Sequence, residues 1–159
     1  MPKTKRTRKT RKTKFRKYIF AVVFFQSDDE RKFLLFHRTK NWRGWEFLKG
    51  GLKEGETEMR ALKREIREET GAAGARKYRI VKTRHVIKYR WNRNYRKDRH
   101  LFHGARGMLY IVRLFGKKIK IDRKEHDKFR WVDKREALRI LTYINLKNAL
   151  KYVSRNHNL

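Results

Sequence analysis

Gly50-Gly51-Leu52-Lys53-Glu54-Gly55-Glu56, followed after seven residues by Arg64-Glu65-Ile66-Arg67-Glu68-Glu69-Thr70-Gly71-Ala72, is the stretch that decides how the rest of this chain is read. Its leading glycines mark a loop in which backbone can approach a metal or a phosphate closely. From Thr57 to Thr70 the apolar residues Met59, Leu62 and Ile66 recur at helical spacing among charges, and Gly71 stands where such a helix would stop. The spacing therefore predicts a glycine loop running into an amphipathic helix. On that helix Glu65, Glu68 and Glu69 fall at i, i+3 and i+4 and share one face, where their mutual repulsion would destabilise it. A hard divalent cation such as Mg²⁺ removes that repulsion and takes oxygen ligands of this kind, and the helix N-terminus adds partial positive charge nearby. The plainer alternative is a solvated helix whose glutamates pair with Arg60, Lys63, Arg64 and Arg67. Clustering weighs against it: six of the sixteen acids fall within residues 54–69 of a chain that holds 47 Lys and Arg.

Working outward, residues 17–25 and 32–38 are β-rich and separated by Asp28-Asp29-Glu30, the pattern of a hairpin. Downstream, residues 78–89 and 107–115 are strand-like, with a polar, aromatic and strongly basic insertion between them. Residues 134–141 and 146–153 look helical, and the chain is expected to fray over 154–159. The order β-β-α-β-β-β-α suggests a mixed α+β sandwich occupying residues 18–153 as one domain. Ahead of it, residues 1–17 hold ten Lys and Arg, no acid, and only Phe15 as a large apolar residue. Such a segment cannot offset its ordering entropy by burial and reads as a disordered basic tail.

The 159 residues are 38% hydrophobic with four Trp and ten Phe, enough for one real core. The net charge is +31, and without the tail 37 Lys and Arg still face the same 16 acids, about +21. The basicity belongs to the domain as well, and nucleic acid, nucleotides and anionic membrane surfaces are the candidate partners. With no cysteine the chain has no disulfide, no thiolate metal site and no Cys nucleophile. That suits a reducing compartment; the cytoplasm is expected, with nucleus and organelles left open. The longest apolar run, residues 18–25, is too short to span a bilayer. The basic residues before it imitate a secretory signal, but there is no small-residue cleavage pattern, and the run continues into Gln26-Ser27-Asp28-Asp29-Glu30, so it reads as a first strand. His85, His100 and His103 lack the spacing and the cysteines of a zinc site.

The central stretch resembles the Nudix box: Gly, five residues, Glu, seven residues, then Arg-Glu-apolar-any-Glu-Glu-any-Gly-apolar, with every fixed position filled and Ala72 at the last. The likeness extends to Trp45-Glu46-Phe47 ahead of the box. It extends also to Glu125-His126-Asp127-Lys128-Phe129-Arg130-Trp131-Val132, which resembles a later strand of that family. The resemblance implies a Nudix-like α/β/α sandwich with a mixed β-sheet and a loop-helix-loop catalytic motif. It also implies metal-dependent cleavage of a phosphoanhydride. On that resemblance Glu65, Glu68 and Glu69 ligate Mg²⁺, or Mn²⁺ as the alternative. Arg64 orients them, Glu56 supports them from the loop, and the Lys49 carbonyl completes the coordination. Glu125 aligns with an acid that binds a further metal or acts as base. Metals so placed would polarise the phosphoanhydride and lower the pKa of an attacking water.

Phe47-Leu48-Lys49-Gly50-Gly51 resembles the Pro-Lys-Gly-Gly element of enzymes that split dinucleoside polyphosphates, and of RNA 5′-pyrophosphohydrolases, which carry Gln in place of the Lys; here Leu48 stands for Pro. Diadenosine tetraphosphate and the 5′-triphosphate end of RNA are the substrates this implies, with Lys49, Arg38, Tyr89, Trp91 and Tyr143 as candidate substrate contacts. Residues 76–106 hold twelve Lys and Arg and one acid, Asp98, interleaved with Tyr78, Tyr89, Trp91, Tyr95 and Phe102. Singly, a core Tyr89 and a solvated basic loop are the simpler readings. As a group they suit base stacking and phosphate clamping, so nucleic-acid contact is expected through the tail and this segment. A competing reading is an RNA- or ribosome-binding protein on a Nudix scaffold, against which the intact box speaks, since a pure binder has no need of Glu65, Glu68 and Glu69 together. A membrane-surface role is third, because no basic amphipathic helix is present. Oligomeric state has no signature in the sequence.

Overall fold

The computed structural model describes residues 14–74, 76–92 and 102–159. Strands β1 (Phe15–Gln26) and β2 (Arg31–Arg38) form the expected antiparallel hairpin, with Val23 opposite Leu34. Short strands β3 (Gly44–Glu46) and β4 (Leu48–Gly51) follow, then helix α1 (Glu58–Thr70). Strands β5 (Tyr78–Arg90), β6 (Gly104–Leu114) and β7 (His126–Val132) precede helices α2 (Lys134–Ile140) and α3 (Ile144–Asn156). They make one seven-stranded sheet in the order β3-β2-β1-β6-β5, with β4 on β1 and β7 on β2. The sheet is mixed because β1 and β6 run parallel while the other pairs run antiparallel.

Both faces of β1 are buried because its side chains alternate between two cores, as a strand between helical layers requires. Ile19, Ala21 and Val23 join Leu62 and Ile66 of α1 on one face. Phe20, Val22 and Phe24 join Ala137 of α2 and Ala149, Leu150 and Val153 of α3 on the other. This is the layered α+β sandwich expected. On α1 the buried stripe is Ala61, Leu62, Glu65, Ile66, Glu69 and Thr70, whereas Met59 in the first turn is 39% exposed.

Two boundaries differ from expectation. The sheet begins at Phe15, so Phe15, Arg16 and Lys17 are strand and not tail; the backbone of β6 supplies their register, Phe15 opposite Gly104 and Lys17 opposite Arg106. The remaining tail, residues 1–13, lies outside the described residues, as do residues 93–101 of the basic insertion with Tyr95, Asp98 and His100. At the other end the chain does not fray at Ser154. Helix α3 runs to Asn156, whose Nδ2 donates to the Tyr152 carbonyl, and Leu159 packs against the α2/α3 core. Strands β3 and β4 are additions, because their glycines read as loop until pairing with β2 and β1 is seen. Among the described residues no helix is long and apolar enough to cross a membrane.

Candidate active site

Helix α1 is positioned at both ends. Thr57 caps it by accepting from the Arg60 amide, and Gly71 closes it in the left-handed region at φ 76°, a conformation that favours glycine. The apolar stripe seats the helix on β1 and β4, which turns Glu65 and Glu69 inward at the sheet edge. Gly50 of β4 lies so close that a Cβ there would come 2.0 Å from Glu65 Oε1. A glycine at position 50 is therefore required by the approach of the carboxylate.

Arg64 ties the helix to the glycine loop. Its Nε and Nη2 donate to the two Glu56 oxygens at 2.9 and 3.0 Å, and Nη2 also reaches the Gly51 carbonyl at 3.1 Å. Its Nη1 donates to Glu65 and to Glu68 Oε2, the latter at 3.3 Å. Glu56 is held further by the Lys53 amide, and these donors, Arg64 foremost, keep its carboxyl at about 2 against the opposing effect of burial. Glu65 behaves in the opposite way. Burial pushes it up to about 7; Arg64 opposes this, and the neighbouring Glu68 and Glu69 add to it.

A second set of charges lies beneath the first. Glu46 is fully buried, and its Oε1 accepts from Arg38 Nη1 and pairs with His126 Nε2, each at 3.0 Å. Its Oε2 makes no hydrogen bond of good geometry and is held by charge, with Lys49 Nζ 2.6 Å away. Burial works against the Glu46 carboxylate, but Lys49, His126 and Arg38 together keep it at about 2. His126 reaches in the other direction through Nδ1 to Glu69 Oε2, 2.9 Å away. Burial disfavours its charge, yet Glu46 and Glu69 raise it to about 9, so it stands as an imidazolium between two carboxylates. Arg38 Nη1 also donates to Glu125 Oε2 at 3.1 Å.

Much of this network opens into a cleft of about 950 Å³, although the buried Glu46 and His126 are not among its lining residues. Its lining includes Glu65, Glu68, Glu69, Arg64 and Glu125, and all five candidate substrate contacts, Arg38, Lys49, Tyr89, Trp91 and Tyr143. Glu56 is not part of the lining and acts through Arg64. Trp42 is a lining residue that the sequence did not single out. Its ring centroid lies 4.9 Å from that of Tyr143, edge to face, and the Lys49 ammonium sits 5.0 Å over it and 5.9 Å from the Tyr89 ring. The signal for it was an aromatic residue inside the otherwise polar Lys40-Asn41-Trp42-Arg43-Gly44 turn. Glu46 and His126 were also missed as site residues; each was noted only within a family-like segment. His85 is a packing residue, stacked on Tyr152 at 4.6 Å, and burial lowers its pKa.

Among the described residues no three acidic or histidine side chains already converge as a metal cluster. The reason is visible in the pairing: Arg64 draws on Glu65 and Glu68, while His126 holds Glu69. The donor set nevertheless suits a hard dication, being carboxylate oxygens on one wall of the cleft. Glu65, raised by burial and by its acidic neighbours, is where added positive charge would be most stabilising.

The fold and the box define a class, and comparison with known proteins places the chain within it. The NUDIX domain model matches residues 16–153. The chain belongs to the Nudix family. It is 32% identical over 114 residues to an RNA pyrophosphohydrolase of Legionella pneumophila (strain Corby), covering 67% of this chain but only 64% of that protein. It is 32% identical over 125 residues to an RNA pyrophosphohydrolase of Halorhodospira halophila, covering 75% of this chain and 67% of that one. Among solved structures, a C. elegans Ap4A hydrolase binary complex superposes with a TM-score of 0.72 at 18% identity, over 90% of this chain and 98% of that one, a likeness of fold.

Proposed function

We propose that this chain hydrolyses the phosphoanhydride of a nucleoside polyphosphate with the help of a divalent cation, Mg²⁺ or Mn²⁺, and that its substrate is the 5′-triphosphate end of RNA. Diadenosine tetraphosphate is the next candidate. The observation that carries the reaction class is Arg64, which locks the three-glutamate face of α1 to the Gly51–Glu56 loop beside a cleft lined with cations and aromatic rings. The choice of RNA rests on the relatives named RNA pyrophosphohydrolase and on the +31 charge.

Glu65, Glu68 and Glu69, with the Lys49 carbonyl, would hold the cation, which when bound polarises the anhydride and acidifies water. Arg38 and Lys49, which line the same cleft, take the negative charge of the phosphates. Trp42, Tyr143 and Tyr89 offer ring faces and edges for the terminal base. Glu125, at the cleft with its side chain 39% exposed, accepts the proton of the attacking water. In this reading the protein works in the cytoplasm.

A panel of 5′-triphosphorylated RNA, diadenosine tetraphosphate and nucleoside triphosphates, each assayed with Mg²⁺ and with Mn²⁺, tests it. Release of phosphate or pyrophosphate from the RNA at the highest kcat/KM is the expected result. No release from any member with either metal would remove the enzyme reading and favour a binder on the same scaffold.

A further inference from the structure

On the same sheet face as Ile19, Ala21 and Val23, which α1 covers, the exposed ends of three strands carry an arrangement that folding alone disfavours. Lys17 of β1, Arg106 of β6 and Lys88 of β5 lie directly opposite one another in cross-strand register, Lys17 to Arg106 and Arg106 to Lys88. All three are exposed, and none makes an ion pair among the described residues. Like charges directly opposite on neighbouring strands are destabilising. The row spans about 10 Å across three strands.

An aromatic platform lies one rung away. Phe15, Gly104 and Arg90 form the next cross-strand set on the same face. The Phe15 ring rests across Gly104, where an added Cβ would meet it at 3.0 Å and the Tyr89 carbonyl at 2.1 Å. Lys88 Nζ stands 4.4 Å over that ring. Phe15, Lys88, Tyr89 and Arg90 together line a depression of about 470 Å³. Tyr89 and Arg90 also line the main cleft, so the two concavities share a wall.

We propose that this face, Phe15 with Lys17, Lys88 and Arg106, is a docking platform for single-stranded RNA, holding the nucleotides that follow the 5′ end seated in the cleft. It rests on the proposed RNA substrate. An aromatic ring flanked by cations on an open sheet provides what single-stranded nucleic acid requires, a stacking surface for a base and a track for phosphates. The charge excludes a second copy of this chain as occupant, since each platform would repel the other. It also gives the unfavourable Lys17–Arg106–Lys88 row a reason to exist, because a polyanion laid along it converts repulsion into attraction.

The test uses the full-length chain and a 5′-triphosphorylated single-stranded RNA of about 12 nucleotides, a typical site size for such surfaces. Binding is measured without divalent cation at several salt concentrations, and diadenosine tetraphosphate hydrolysis is measured separately. The triple variant Lys17→Gln, Arg106→Gln, Lys88→Gln should bind RNA at least tenfold more weakly, with a salt slope shallower by about 2, since each single-strand contact contributes roughly 0.7. Its Tm should be unchanged or higher, and its hydrolysis of the small substrate unchanged. Phe15→Leu should weaken RNA binding roughly tenfold through lost stacking while leaving the salt slope intact. Unaltered RNA affinity and slope in the triple variant would overturn the platform. So would a variant that loses binding to anionic phospholipid vesicles but keeps RNA. Wild-type protein that binds RNA through this face yet releases no phosphate from it would leave the platform standing and remove the proposed reaction. Hydrolysis of RNA by wild type and triple variant with equal KM would remove the platform alone.

Discussion

His126 Nε2 lies 3.0 Å from Glu46 Oε1, and both side chains are buried. The pair is the junction between two layers of the site, because the other nitrogen of His126 reaches Glu69 while Glu46 gathers Arg38 and Lys49. Truncating one member of such a group strands its partners without compensation, which costs about 3–5 kcal/mol. Glu46→Ala should therefore lower Tm by roughly 6–20 °C, at about 2–4 °C per kcal/mol for a domain of this size. Glu46→Gln, which keeps an acceptor for Arg38 and His126, should lose less. Thermal melts of the two variants at one pH check this, and a Tm equal to wild type in Glu46→Ala would rule out the junction.

The box carboxylates separate stability from chemistry. Glu68 is exposed and, among the described residues, pairs with Arg64 alone, at 3.3 Å, so Glu68→Gln should leave the fold intact. Turnover should nevertheless fall by about two orders of magnitude or more, because a neutral amide is a poor ligand for a hard dication. Glu69→Gln should show the same loss of turnover together with a lower Tm, since Glu69 is buried against His126. A chelator should abolish hydrolysis in wild type and added Mg²⁺ should restore it. Near-normal turnover of Glu68→Gln would remove the metal assignment.

Much of this was legible in the sequence because its signals are local. Thr57, the Leu62 and Ile66 periodicity and Gly71 each act within a turn of α1, so spacing alone delimits the helix. The same holds for the β1–β2 hairpin. What escaped depends on pairing across the chain. Glu46 and His126 are eighty positions apart, and neither residue type announces a buried ion pair until β2 brings β3 and β7 together. Phe15 looked like part of a tail because its order comes from pairing with Gly104, not from burial of its own neighbours. Trp42 could be seen as an odd aromatic in a turn, but its alignment with Tyr143 and Lys49 needs α3 and β4 in place.

Gly50 offers a test of distance within the site. Its backbone faces Glu65 so closely that Gly50→Ala would place a methyl group 2.0 Å from Glu65 Oε1. Either the carboxylate or β4 must shift, and a displacement of about 1 Å at a reacting centre costs on the order of 100-fold in rate. Gly50→Ala should thus reduce kcat about 100-fold while the protein still melts cooperatively. Full activity in this variant would mean that Glu65 need not sit where the structure places it.

Glu125 is tied to Arg38 at 3.1 Å but partly open to solvent, so its removal should matter little for stability. If it takes the proton of the attacking water, Glu125→Gln should depress kcat and kcat/KM together with little change in KM, because the interaction is made mainly in the transition state. A variant altered only in KM would instead assign Glu125 to substrate binding through Arg38.

The basic tail can be tested only if the cut spares the sheet. Phe15, Arg16 and Lys17 belong to β1, so a deletion through residue 17 would remove three rungs of pairing with β6 and confuse folding with binding. Deleting residues 1–13 avoids this and removes seven of the ten positive charges that precede residue 18. If those charges contact the RNA backbone, affinity for 5′-triphosphorylated RNA should fall and its salt dependence should flatten by roughly 0.7 per lost phosphate contact. Diadenosine tetraphosphate hydrolysis should be nearly unchanged, because every carboxylate of the proposed site lies in the folded domain. Equal affinity and equal salt slope for the truncated and full-length chains would show that the tail is not an RNA arm and leave the sheet platform to account for binding by itself.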